Sequence, residues 1–140
     1  AIVTLVATLM DTGPPELPAG SDLVLPLAKL KPNKLFLFRY RIDGSTFAPL
    51  AVQRGPDGII RAGFSVCRRC FRLGSYEWSG KVMCGHCRHV MMMPDPGTDT
   101  GTAKSGCALP WLEYSVEANN VTVRAATIQS EFQRLFVSRQ

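Results

Sequence analysis

Cys67-Arg-Arg-Cys70 and Cys84-Gly-His-Cys87 are two C-x-x-C turns, or knuckles, separated by thirteen residues, and they decide the fold of this chain. They lie between Val66 and Cys107, a stretch that contains all five cysteines of the 140-residue chain. Two thiolates three residues apart on a tight turn reach one metal ion, and a second such turn completes four sulfur ligands. The four knuckle cysteines are therefore the predicted ligands of one centre. Zinc and iron–sulfur clusters both accept four thiolates, so the pattern leaves the metal open.

Other sulfur and imidazole groups lie beside the knuckles. Cys107 follows a glycine-bearing loop, and we favour a role near the metal, as a further or substitute ligand or a resolving thiol, over a small buried hydrophobe. His89 is a further candidate ligand or hydrogen-bond donor to a sulfur, although an ordinary surface histidine is favoured. Met91, Met92 and Met93 have the softness of Cu(I) ligands, but neighbours on a strand point to opposite sides, so packing is favoured.

The composition indicates one globular domain with many short strands. Hydrophobic residues make up 46% and charged residues 19%, and the ten prolines and twelve glycines favour turns over long helices. The net charge of +5 allows an anionic partner or simply keeps the surface soluble. An odd number of cysteines argues against a closed disulfide framework. No motif for hydrolytic or phosphoryl-transfer chemistry is present in the sequence.

Hydrophobic patterning predicts a mainly β domain, a small sandwich or barrel that carries the two knuckles and one short C-terminal helix. We divide the chain into residues 1–22, a lead-in, linker or tail of a membrane segment, and residues 23–140, a single β-rich metal-binding domain. Residues 1–10 favour a first strand. Residues 23–30 contain Pro26, which is typical of an edge strand or of a strand that ends there. The helix is predicted over residues 127–136, with Thr127 or Ser130 as its cap.

Further strands are predicted at residues 34–42, 46–53, 59–66, 76–78, 81–83, 90–93 and 121–123. In the first of these, Phe36, Phe38, Tyr40 and Ile42 share one face. Turns are predicted at Asp43-Gly44 and Asn119-Asn120. The knuckles therefore lie at the ends of strands.

Several of these segments resemble the FtrD-like family of bacterial membrane proteins that contain iron–sulfur centres. The resemblance covers residues 23–123 and includes Gly58-Ile-Ile-Arg-Ala-Gly-Phe-Ser-Val-Cys67, Val82-Met-Cys84, Ser105-Gly-Cys107 and Pro110-x-x-x-Tyr114. It favours an iron–sulfur cluster, with zinc as the alternative, and implies a domain on the periplasmic side of the bacterial inner membrane, with a membrane tether. It also implies an iron permease and a periplasmic iron-binding protein as partners, and no nucleic acid.

The C-terminal half is also distantly similar to a Rieske domain, so a Rieske-like arrangement is one form of the predicted fold. Rieske centres use one cysteine and one histidine in each ligand pair. Cys70 and Cys87 stand where that resemblance would place the histidines. All-thiolate ligation implies a lower reduction potential than that of a Rieske centre.

Three functions follow from these patterns. The leading hypothesis is electron transfer or metal handling in bacterial iron uptake, a role that is more binding than catalytic. A structural zinc ribbon that acts as a binding module is the second, with a basic patch for nucleic acid formed by Arg68, Arg69, Arg72, Lys81 and Arg88. A thiol–disulfide reductase acting through Cys67 is the third, and it ranks last because such enzymes need one pair of cysteines rather than two.

Overall fold

The computed structural model describes residues 15–66, 81–84, 88, 90–94, 96 and 109–137, and the backbone of residues 2–4 and 75–78. These residues form three small sheets, a single 3-10 turn at Leu27–Lys29 and one C-terminal α-helix. The mainly β prediction is thus confirmed, with its single helix at the predicted end of the chain.

The first sheet has the order β1 (Ile2–Thr4), β3 (Asp22–Pro26), β11 (Asn120–Val123) and β10 (Ser115–Glu117). The strand predicted within residues 1–10 is confirmed at residues 2–4, whereas residues 5–14 lie outside the described part. Of the two alternatives for Pro26, the end of a strand is correct. β3 ends at Pro26, and it lies between two neighbouring strands rather than at an edge of the sheet. The missing N–H of a proline then interrupts no interior part of the ladder.

The hairpin between β10 and β11 turns one residue earlier than predicted. Ala118 and Asn119 have positive φ values of 51° and 64°, and Asn120 already pairs with Glu117. Two successive residues with positive φ make the tight hairpin turn whose twist matches that of the strands. Alanine is uncommon in this conformation, so the sequence pattern favoured the Asn-Asn pair instead.

The second sheet has the order β2 (Glu16–Leu17), β4 (Leu35–Arg41), β5 (Phe47–Arg54) and β6 (Ile60–Phe64). Phe36, Phe38 and Tyr40 are buried on one face of β4, as the alternation predicted. The predicted turn before β5 is also confirmed, because the Asp43 carboxylate accepts the N–H groups of Ser45 and Thr46 at 2.9 Å each.

The first two sheets enclose the main core, and the C-terminal helix closes it. The buried residues of this core include Leu23, Phe38, Phe64, Val121, Ile128 and Phe132. The helix α1 (Ala125–Phe132) begins two residues before its predicted start and continues as a wider turn over Gln133–Val137. Neither Thr127 nor Ser130 caps it; instead, Asp22 of β3 accepts the N–H of Ala125 at 2.8 Å. This cap is 103 residues away in sequence, so local pattern could not reveal it.

The third sheet carries the second knuckle and covers the opposite face of the second sheet. It consists of β7 (Ser75–Trp78), β8 (Lys81–Cys84) and β9 (Val90–Met91), in that order. Its buried side chains pack on Ala51 of β5, with Leu35 and Leu37 of β4 at the margin. The second sheet therefore packs on the main core with one face and, around Ala51, on the cysteine-bearing sheet with the other.

Candidate metal centre

Cys84 is the one predicted sulfur ligand among the described residues. It is the last residue of β8 and is 1% exposed. It belongs to an apolar group, here called the second cluster, that also contains Ala51, Val82, Met91 and Leu109. The remaining candidates lie outside the described residues: Cys67, Cys70, Cys87, Cys107 and His89.

The second knuckle is closed by a hydrogen bond between its flanking backbone groups. The N–H of Arg88 donates to the carbonyl oxygen of Cys84 at 2.9 Å, and Arg88 has a φ of 58°. A five-residue turn that ends in a left-handed residue reverses the chain sharply. Cys84 therefore begins a tight turn that ends immediately after Cys87, as a pair of ligands on one knuckle requires.

The approach to the first knuckle is buried and hydrogen-bonded. Ser65 and Val66 are 1% and 0% exposed, and the N–H of Ser65 donates to the carbonyl oxygen of Pro49 at 2.8 Å. The N–H of Val66 donates to the carbonyl oxygen of Phe64, which turns the chain just beyond β6. The residue next to Cys67 is thus held against the main core, in line with the predicted strand that leads into this knuckle.

The segment that follows Cys107 forms backbone hydrogen bonds with β6 and with the residue after β9. The N–H of Leu109 donates to the carbonyl oxygen of Met92, and the N–H of Phe64 donates to that of Pro110, both at 2.9 Å. Leu112 donates in the same way to Ala62 at 2.9 Å. The chain beyond Cys107 therefore lies against β6 and against the residue after β9.

Gly63 makes this close approach possible. A Cβ atom at position 63 would lie 2.6 Å from the carbonyl oxygen of Pro110 and 3.3 Å from the Cβ of Leu109. A glycine inside a strand often marks such an approach of another backbone. Gly63 is the feature of the sequence that could have predicted this contact, and the strand prediction did not use it.

Two of the three methionines pack in the protein and the third faces solvent. Met91 is 3% exposed and belongs to the second cluster, whereas Met92 is 58% exposed. Met93 packs at the margin of the same cluster. Their alternation confirms the expectation that they do not face a single ion.

Two properties of the described residues suit a sulfur-ligated centre. Cys84 offers a thiol that is shielded from solvent at the mouth of a tight turn. The indole Nε1 of Trp111, four residues after Cys107, is buried and has no hydrogen-bond partner among the described residues. Across those same residues, no three side chains of histidine, cysteine, aspartate or glutamate lie close enough to hold a metal.

Comparison with known proteins gives one result. The family model described as membrane iron-sulfur containing protein FtrD-like matches residues 30–136. None of the curated proteins and none of the solved structures gives a match. Within the described part of the chain, no helix has both the length and the apolar character to cross a bilayer. The distant Rieske resemblance stays an expectation. Because the family match covers most of its length, the chain belongs to the FtrD-like family of membrane iron–sulfur proteins.

Proposed function

We propose that this domain holds an iron–sulfur cluster on Cys67, Cys70, Cys84 and Cys87 and transfers electrons during bacterial iron uptake. The observation that carries the proposal is the placement of Cys84, a shielded thiol that opens a hydrogen-bonded C-x-x-C turn in a chain of this family. When bound, the cluster would supply one-electron redox chemistry. The chain's own part is to hold the thiolates and to limit the access of water.

The packing around Cys84 suits a redox centre. Ala51, Val82, Met91 and Leu109 surround the cysteine with apolar side chains, and three of these four are 1% exposed or less. A dry, apolar shell lowers the local dielectric and strengthens the influence of nearby hydrogen bonds on a charged centre. Burial of this kind is one of the means by which a protein sets a cluster's reduction potential.

The partners are part of the proposal. The resemblance described above leads us to propose an iron permease and a periplasmic iron-binding protein, with the domain on the periplasmic side of the inner membrane. Arg88 is exposed immediately after the second knuckle and gives this end of the third sheet a positive charge. Such a surface favours acidic docking partners.

Anaerobic purification tests the proposal directly. The protein, reconstituted with iron and sulfide, is expected to contain both elements, to absorb visible light and to give an EPR signal when reduced. Cys84→Ala is expected to lose this cluster while keeping the apolar contacts at position 84. Met92→Ser is the matched control, because it removes an exposed sulfur side chain and should leave the cluster intact.

Alternative outcomes separate the other hypotheses. A colourless protein with one equivalent of zinc would contradict the iron–sulfur assignment and favour a structural zinc ribbon. Disulfide reductase activity that disappears in Cys67→Ser would favour the thiol–disulfide reductase. Cys107→Ser is expected to retain the cluster, because four thiolates already complete its shell.

A further inference from the structure

Trp111 contains a buried hydrogen-bond donor that the described residues leave without a partner. The Nε1–H group is shielded from solvent and donates no hydrogen bond to any of those residues. An indole N–H only donates, and a buried donor without an acceptor costs about 1–3 kcal/mol. Buried polar groups in native proteins nearly always have partners, so an acceptor is expected at this position.

The backbone places the Trp111 side chain on the cysteine-bearing side of the second sheet. Trp111 pairs with Gly63 in an antiparallel bridge, and hydrogen bonds from Phe64 to Pro110 and from Leu112 to Ala62 flank the pair. Side chains of such a non-hydrogen-bonded pair point to the same face. Leu109, two residues earlier, lies on that face as well.

Leu109 connects this face to Cys84. It packs in the second cluster with Cys84, whereas Leu112 packs in the main core. Trp111 follows Leu109 by two residues in the chain, and Leu109 packs with the proposed ligand Cys84. Trp111 also follows Cys107 by four residues. The orphaned indole N–H and the Cys84 thiol lie on the same side of the second sheet.

We propose that the indole N–H of Trp111 donates a hydrogen bond to a sulfur of the cysteine-ligated centre and thereby raises its reduction potential. The inference rests on the proposed function and assigns a positioning and tuning role to a residue outside the ligand set. Hydrogen bonds to cluster sulfurs are among the factors that set the potential. The bond favours the reduced state because reduction adds negative charge to the sulfurs.

The first test observes the hydrogen bond in a diamagnetic form. The ¹⁵N-labelled protein is prepared without metal and with zinc, and its two indole N–H signals are recorded by NMR. Trp111→Phe assigns the signals, because the only other tryptophan is Trp78. The Trp111 signal is expected to move downfield and to exchange more slowly with solvent when zinc occupies the thiolates. A signal that does not move on zinc binding would overturn the proposal and indicate a buried water as the acceptor.

The second test measures the reduction potential of the reconstituted cluster. Trp111→Phe retains an aromatic ring and removes the donor, so the ratio of reduced to oxidised cluster at a fixed potential is expected to fall about tenfold. For a one-electron couple this is about 59 mV. Tyr114→Phe is the matched control, since it removes a polar group from a nearby aromatic residue that packs on the main core. Equal potentials in wild type and Trp111→Phe would overturn the proposal.

The two tests separate this inference from the proposed function. A protein that binds zinc but assembles no cluster would contradict the proposed function, while the indole signal of the zinc form would still decide the hydrogen bond. A normal cluster with an unchanged potential in Trp111→Phe would contradict the inference alone. Failure to bind either metal would overturn both.

Discussion

The backbone N–H of Phe64 donates a 2.9 Å hydrogen bond to the carbonyl oxygen of Pro110, and this bond joins the strand that leads to Cys67 with the segment that follows Cys107. The same segment continues the connection at Leu109, which donates to Met92 beyond the second knuckle. The segments that lead to Cys67, that leave the second knuckle and that follow Cys107 are therefore joined by backbone hydrogen bonds into one unit. A rigid frame of this kind is what a preformed ligand set requires.

Gly63→Ala should disrupt this frame. The added Cβ would lie 2.6 Å from the carbonyl oxygen of Pro110, a distance that only a backbone shift can relieve. We expect a loss of about 1–3 kcal/mol in the free energy of unfolding, measured by urea denaturation. Gly44→Ala is the matched control, because nothing lies within 4 Å of its Cβ position. Equal urea midpoints for the two variants would contradict the close contact at Gly63.

The left-handed conformation of Arg88 gives a prediction for metal retention. A non-glycine residue at a φ of 58° is strained by roughly 1–2 kcal/mol. Arg88→Gly relieves this strain at an entropic cost of about 0.5–1 kcal/mol, so the net gain of about 1 kcal/mol should slow metal release to a chelator about fivefold, whereas Arg88→Val should accelerate it. Arg88→Lys keeps the charge and should release metal at the wild-type rate. If the glycine and valine variants released metal equally fast, the turn would not control the centre.

Asp57 and Arg61 give a prediction for acidic pH. Paired hydrogen bonds of 3.0 and 2.9 Å from the Arg61 guanidinium, with a further one from the N–H of Ile59, lower the pKa of Asp57 from 3.8 to about 2. Because the folded-state pKa is depressed, the ion pair stabilises the fold above pH 4 and is lost as the pH falls toward 2. A ¹³C NMR titration should place the carboxyl midpoint near 2 in wild type.

Arg61→Met tests the cause of this shift. Without the guanidinium, the pKa of Asp57 should rise toward 3.8. Arg41→Met is the control, since Arg41 pairs with Glu16 instead and should leave the titration of Asp57 unchanged. A midpoint that stays near 2 in the Arg61 variant would assign the shift to the backbone N–H of Ile59.

Much of the second sheet was predictable because its information is local. The alternation of Phe36, Phe38 and Tyr40 identified the buried face of β4, and Asp43-Gly44 identified the turn that follows it. The cap of the helix was not predictable, since Asp22 is brought to Ala125 only by the packing of β3 beside the helix. The ligand set rests on spacing alone for Cys67, Cys70 and Cys87, which lie outside the described residues.

The sequence by itself determined the class of this protein, because the knuckle spacing and the strand periodicity are short-range properties of the chain. Only the tertiary structure decided how the knuckles are supported. Gly63 is an ordinary strand glycine in the sequence, and Trp111 an ordinary tryptophan. Their pairing across the sheet, the approach of Pro110 and the buried indole N–H depend on contacts between residues nearly fifty positions apart, which no local pattern records.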